Sequence, residues 1–206
     1  MMAPVASQRP PELEQRRAEL ERMGFKIVYE DSQSVIGTRA KWHWDCFFVK
    51  LTTVAWVKRV PEVSAQTMEA DKQWLKANAA RLDPSALPIG FQKGRCAAIV
   101  YLADRAWDDA KARAGATPAM EFGAIFLTAI RESTGEVHAF TGTPLWGAAL
   151  YPKIKFVVRR LLDPMSPDAK EPLSMVGAIM VVILGLMLVF CFCGLPLLVV
   201  LGSLLG

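Results

Sequence analysis

The chain has 206 residues, of which 52% are apolar, and its 24 basic and 20 acidic side chains give a net charge of +4. This small excess, spread along the chain, argues against a nucleic-acid partner. Four cysteines and two histidines without metal-binding spacing argue against a structural zinc site or a disulfide scaffold, and they favour a reducing compartment. We therefore expect no bound metal and no cofactor.

Charge is confined to residues 1–171, because residues 172–206 contain no Asp, Glu, Lys, Arg or His. The charged portion has a length that suits one domain. Residues 1–10 hold several prolines and no apolar run of signal-peptide length, so they are predicted to form a disordered leader. A soluble domain is predicted over residues 11–162.

The domain is predicted to begin with a helix and three strands. Residues 11–23 have a helical apolar spacing, with Pro11 suited to the first turn and Gly24 to the stop. The next two predicted strands, 25–30 and 34–44, are separated by a turn at 31–33. A third, 46–60, is rich in β-branched and aromatic residues and should end at Pro61. Short turns predict an antiparallel meander.

The second half alternates helices and strands. Ser64 is a good cap for the next predicted helix, and the sequence Ser133-Thr134-Gly135 suits a hairpin turn. The predicted elements are helix 64–82, strand 95–103, helix 104–114, hairpin strands 121–132 and 136–141, and helix 147–162. These elements predict an α+β class: one soluble domain with a mixed or antiparallel sheet of five or six strands and flanking helices. A C-terminal transmembrane helix is predicted to follow.

Asp45 and the later run Trp56-Val57-Lys58 carry a resemblance to a nuclease family. Together with the order helix, three strands, helix, strand, they resemble the core of the PD-(D/E)XK nucleases. The resemblance implies that Asp45 binds Mg²⁺ and that Lys58 polarises the scissile phosphate or the attacking water. Trp56 departs from the pattern, because that position holds an acid or Gln in the family and an indole offers Mg²⁺ no oxygen. Glu30 or Asp31 are possible replacement acids.

His43 lies in the unusual run Trp42-His43-Trp44-Asp45-Cys46. Alternate strand residues share a face, so His43 and Asp45 could act as a base and its orienting group. No nucleophile motif accompanies them. The alternative is a strand end with packed tryptophans and a hydrogen-bonded histidine.

The helix predicted over residues 147–162 has an apolar stripe with basic residues on both sides. It can lie on an anionic membrane surface, or it can pack the stripe on the sheet and leave its bases in water. The first alternative predicts contact with anionic lipid headgroups. The predicted contact residues are Lys153, Lys155, Arg159, Arg160 and Lys170.

Residues 163–173 read as a Pro-rich linker, and residues 174–206 as a membrane anchor. Residues 174–193 are apolar on every side, and a helix of that length spans about 30 Å, the thickness of a bilayer core. The run from Gly194 to Pro196 leaves open one tilted span or a span plus a re-entrant segment. Because all flanking bases precede the span, residues 1–171 are predicted to face the cytoplasm, in a tail-anchored arrangement.

Together these observations predict an integral membrane protein whose α+β domain is a binding or scaffold module for an unidentified protein partner. An enzyme with a degenerate PD-(D/E)XK nuclease-like fold is the alternative. A third possibility is a domain that merely accompanies a functional apolar segment.

Overall fold

A computed structural model describes residues 10–43, 49–83, 93–118, 120–121, 124–142, 144, 150–164, 179 and 182–183. It confirms the α+β class: a single domain built on a mixed sheet with flanking helices. In chain order the elements are α1 (Pro11–Arg22), β1 (Lys26–Glu30), β2 (Ser34–His43), β3 (Val49–Val63), α2 (Ala65–Leu82), β4 (Lys93–Ala106), α3 (Asp108–Gly115), β5 (Met120–Glu121), β6 (Ala124–Glu132), β7 (Val137–Ala139) and α4 (Tyr151–Leu162).

The sheet has the order β1-β2-β3-β4-β6-β5, and β7 pairs with the far end of β6. The predicted meander of β1, β2 and β3 is confirmed, and β5 and β7 pair antiparallel with β6. In contrast, β3, β4 and β6 run parallel to one another. Helix α2 crosses over and returns the chain to the end of the sheet at which β3 begins. Strand β4 can therefore run parallel to β3.

Helices cover both faces of the parallel strands. One face packs against α1 and α4, around Leu20, Val100 and Leu161, and the other packs against α2 and α3, around Met68 and Ile99. Successive strand residues point to opposite faces, so β4 is buried along most of its length and is a nearly continuous apolar run. The two helix-covered faces are called the α1/α4 face and the α2/α3 face below.

Several predicted boundaries are wrong, and the predicted strand 121–132 is two strands, β5 and β6, that pair antiparallel. Strand β3 continues past Pro61, where Glu62 pairs with Arg105 of β4. Because β2 pairs only as far as Lys58, this end of β3 has an open side where the missing proline N–H is tolerated. The same pairing extends β4 to Ala106, so α3 begins four residues later than the predicted helix 104–114.

No helix among the residues described above has the length and apolar character needed to cross a membrane. The predicted span 174–193 lies outside the described residues except for Ile179, Val182 and Ile183. The linker, apart from residues 163 and 164, and the leader before residue 10 also lie outside them.

Candidate functional site

Lys58 lies on the α2/α3 face and is held by an acid from α2. Its Nζ is 2.8 and 3.0 Å from the two carboxylate oxygens of Asp71. The Tyr101 hydroxyl donates to the same carboxylate at 2.9 Å. Burial raises the pKa of Tyr101, and the charge of Asp71 raises it further, so the hydroxyl stays protonated. The three groups satisfy one another and fasten α2 to the sheet.

Trp56 fills the space beside Lys58. Its ring is buried, lies 5.0 Å from the ring of Trp74, and has the Lys58 Nζ 5.3 Å from its centroid. The element order implied by the nuclease resemblance is present, yet the position where that family has an acid or Gln holds this packed indole. Asp45 lies outside the described residues. The described geometry gives Lys58 a packing role.

The proposed replacement acids are engaged in structural contacts. Glu30 accepts a hydrogen bond from Arg17 of α1 at 2.9 Å. Asp31 closes the turn between β1 and β2 by accepting from the amides of Gln33 and Ser34. Partial burial alone would raise the pKa of Asp31, but hydrogen bonds from Tyr29, Gln33 and Ser34 outweigh it and lower that pKa. His43 is buried at the end of β2, opposite Val49.

Helix α4 packs its apolar stripe on the sheet, as one of the two alternatives predicted. The expectation that all its bases face water or lipid is wrong for Lys153 and Arg160, which are 4% and 6% exposed. Arg160 is drawn inward because its Nε and Nη2 both lie 2.5 Å from Oε1 of Glu19 on α1. These two bases therefore cannot serve as membrane-surface contacts.

The other predicted surface bases behave differently. Lys155 is half-buried and donates to the carbonyl oxygens of Thr141 and Gly142 at 3.1 and 3.0 Å. Burial lowers the pKa of Lys155, and the neighbouring charge of Arg159 lowers it further. Arg159 is exposed, and Lys170 lies outside the described residues. Of the predicted contact residues on this helix, Arg159 is the exposed one.

A cavity of about 200 Å³ opens on the α1/α4 face, lined by three arginines that sequence analysis did not single out. We call it the arginine cavity: Arg16 from α1, Arg59 from β3 and Arg131 from β6 line it, with Glu12, Glu132 and Ser133 at its sides. It lies toward the C-terminal ends of the parallel strands, where ligands bind in many open sheets.

Strand register places two of these arginines in one row. Arg59 pairs with Leu102 of β4, and Leu102 pairs with Arg131 of β6, so the two guanidinium stems stand on either side of one leucine. The sequence did contain a signal. Inward-facing residues of β6 alternate as Ile125, Leu127 and Ala129, and the next inward position is Arg131, which puts a cation on a core face.

Arg16 and Arg131 meet at the end of α4. Both donate to the carbonyl oxygen of Leu162, at 3.1 and 2.5 Å. Burial lowers the pKa of Arg16, and the positive charge of Arg131 lowers it further. Within the described part of the chain, neither guanidinium has a carboxylate at ion-pair distance. Such a pair of adjacent cations without an anion is suited to binding one.

A neighbouring group of Glu132, Glu136 and His138 brings three potential metal-binding atoms within 4.8 Å of one another. The ammonium of Lys111 already lies 2.7 Å from Glu132 and 3.8 Å from Glu136. Hydrogen bonding between Lys111 and Glu132 raises the pKa of the lysine and lowers that of the glutamate. Lys111 thus supplies the positive charge that a metal ion would bring.

Comparison with known proteins adds no family assignment. The chain matches no protein-family model, and the search of curated proteins found no significantly similar sequence. Function is therefore argued from the residues and their geometry. Of the clusters above, those at Lys58 and Lys111 have internally paired charges, whereas the arginine cavity has hydrogen-bond donors to spare.

Proposed function

We propose that this protein is a binding module held at the cytosolic face of a membrane by its apolar segment 174–206. The observation that carries the proposal is the absence of any charged residue after Glu171, together with an apolar run long enough to span a bilayer. The described residues Ile179, Val182 and Ile183 are helical and between 46% and 60% exposed, which supports a segment whose side chains are not taken up by the domain core.

Charge distribution supports the orientation. Basic residues lie shortly before the span, and such bases favour the cytosolic side. The orientation is supported by Lys155, Arg159 and Lys170, because Lys153 and Arg160 are buried in the domain. Helix α4 ends at Leu162, directly before the predicted linker.

Binding is preferred over catalysis because the best enzyme candidate, Lys58, is ion-paired with Asp71 and lies beside the ring of Trp56. The nuclease alternative retains one supporting observation, the matching order of helices and strands. It predicts Mg²⁺-dependent cleavage of DNA by the full chain, lost in Lys58→Ala. We expect no cleavage by either protein, and cleavage that requires Lys58 would replace the binding proposal.

The proposal is tested by carbonate extraction of membranes from cells that express the full chain or a version stopped after Glu171. The full chain should stay with the membrane, while the shortened protein should be soluble and folded. In sealed vesicles with the cytosolic side outward, added protease should digest a tag at the N-terminus. A soluble full chain whose truncation unfolds the domain would overturn the anchor, and a protected tag would overturn the orientation.

A further inference from the structure

We propose that the arginine cavity binds a phosphate group, carried either by an anionic lipid headgroup or by a soluble phosphorylated compound. The inference concerns Arg16, Arg59 and Arg131 and does not depend on the membrane anchor. Phosphate is the group favoured by clustered guanidinium ions, because its oxygens accept several charge-assisted hydrogen bonds at once.

The guanidinium groups that line the arginine cavity have unused N–H donors. A guanidinium carries five N–H donors, and the protein contact of Arg131 is one hydrogen bond to Leu162. Arg59 uses one N–H of each terminal nitrogen on Leu102 and Asp104, which leaves its Nε–H and one N–H on each terminal nitrogen. The cavity is therefore lined by cationic groups with unused hydrogen-bonding capacity.

Arg16 is only 5% exposed. Its terminal nitrogens donate to Gln15 and Leu162, but its buried Nε has no hydrogen-bond partner. A buried donor left unsatisfied is costly, and most such groups in proteins have partners. An anion in the adjoining cavity would be attracted by this buried guanidinium and would offset the repulsion between the like charges of Arg16 and Arg131.

The acidic residues around the cavity do not cancel this character. Glu132 is already paired with Lys111 at 2.7 Å and with His138 at 3.2 Å. Glu12 and Asp163 are exposed, so water screens their attraction for Arg16. Asp104 is bound to Arg59. Glu19 also attracts Arg16, but it is already paired with Arg160 and Arg22. Among the described residues, neither Arg16 nor Arg131 has a carboxylate at ion-pair distance, so the two are suited to binding an external anion.

The arginine cavity lies beside the C-terminal end of α4. Leu162, whose carbonyl oxygen accepts from both arginines, is the last residue of α4, and the predicted linker 163–173 begins directly after it. Residues 163–173, fully extended, reach at most about 40 Å. A lipid phosphate is therefore within reach of the cavity if the apolar segment is in a bilayer. The cavity volume of about 200 Å³ leaves room for a phosphate and part of its substituent.

The test is calorimetric titration of inorganic phosphate into the full chain in uncharged detergent micelles, at constant ionic strength. Arg131→Gln removes the guanidinium with the most unused N–H donors and should weaken phosphate binding about tenfold or more. Arg59→Gln, at a half-buried position, provides a second variant if the first unfolds. Arg105→Gln is the matched control, because it removes the same charge from an exposed arginine stacked on Trp107, and it should leave the affinity unchanged.

The source of the phosphate is distinguished by comparing glycerol phosphate with short-chain phosphatidic acid and short-chain phosphatidylcholine. Tighter binding of phosphatidic acid than of glycerol phosphate, lost in Arg131→Gln, identifies a lipid headgroup. Equal binding of the first two identifies a soluble phosphorylated compound. The proposal is overturned if the folded chain releases no heat with phosphate, or if folded Arg131→Gln and Arg59→Gln bind as well as Arg105→Gln. These outcomes are independent of carbonate extraction.

Discussion

The two helix-covered faces of the sheet treat buried charge in opposite ways. On the α2/α3 face, Lys58, Asp71 and Tyr101 form a small group in which the acid receives a hydrogen bond from each partner. On the α1/α4 face, Glu19 is the acid between Arg160 and Arg22, whereas the nearby Arg16 and Arg131 form no ion pair within the described part of the chain.

The difference distinguishes charged groups that hold the fold together from charged groups that are suited to binding a ligand. Charged groups that fully satisfy one another can be understood as parts that join a helix to a sheet. A surplus of buried donors has no such explanation, because each unsatisfied group makes the fold less stable. The arginine surplus on the α1/α4 face therefore indicates an external anion, whereas the Lys58 cluster, despite residue types that occur in active sites, does not indicate a substrate.

The largest loss of stability is expected from substitution of Glu19, which is 1% exposed. Glu19→Ala leaves Arg160 as an uncompensated buried charge and should reduce the free energy of unfolding by about 3–5 kcal/mol. Urea unfolding of the full chain in non-ionic detergent, followed by circular dichroism, measures the loss. The double variant Glu19→Leu/Arg160→Leu should recover much of it, since a buried ion pair can be replaced by apolar contacts.

Glu14→Ala is the matched control for that variant. Glu14 lies on the same helix, is exposed, and is 3.6 Å from Arg17, so its loss should change the free energy of unfolding by about 0.5 kcal/mol or less. Equal effects of Glu14→Ala and Glu19→Ala would contradict the buried role of Glu19.

A smaller loss is expected on the other face. Asp71→Ala removes the acceptor of both Lys58 and Tyr101 and should cost about 1–3 kcal/mol, as for other buried hydrogen-bonding groups that lose a partner. Lys58 can reach water, which keeps this cost below that at Glu19. Urea unfolding of Asp71→Ala and Lys58→Met provides the measurement. A loss for Asp71→Ala that exceeds the loss for Glu19→Ala would reverse the order of the two faces.

Glu132, at the edge of the arginine cavity, should make a contribution to stability that depends on pH. Its hydrogen bond from Lys111 lowers the pKa of Glu132 below the ordinary value of 4.5. The resulting stabilisation is fully present above pH 4.5 and is lost as the pH falls through the lowered pKa. Melting temperatures of the wild type and Glu132→Gln should therefore differ most above pH 4.5 and converge in more acidic solution.

A melting-temperature gap between these two proteins that widens on acidification would contradict the assignment. Lys111→Met serves as a partner variant, because it removes the group that lowers the pKa of Glu132. The acid-dependent loss of stability should then be smaller than in the wild type, because the folded and unfolded pKa values of Glu132 lie closer together.

The parts of the fold that sequence predicted correctly rest on local signals. Ser64 accepts a hydrogen bond from the amide of Thr67, as its position before a helix predicted. The turn at Asp31 and the hairpin at Gly135, which has a φ of 91°, are likewise determined by residues close in sequence.

Strand order and the arginine cavity could not be predicted in the same way. The parallel pairing of β3, β4 and β6 depends on long connections, and periodicity does not show which strands become neighbours. Glu19 and Arg160 are 141 residues apart, so the spacing on α4 alone could not show that Arg160 is buried. Charged residues at the edge of an apolar stripe were assigned to solvent because most such residues are solvated.

The smallest effect is expected at the bases of α4 that remain near its surface. Arg159→Gln removes an exposed charge and should change the free energy of unfolding by about 0.5 kcal/mol or less. Arg160→Gln, one residue later, leaves Glu19 without its closest partner and should be destabilising by several times that amount. Both variants lose one positive charge from the same helix, so their difference in urea unfolding isolates burial from charge. Equal losses would mean that Arg160 is solvated like its neighbour and that its pairing with Glu19 does not stabilise the fold, because a solvated ion pair contributes little to stability.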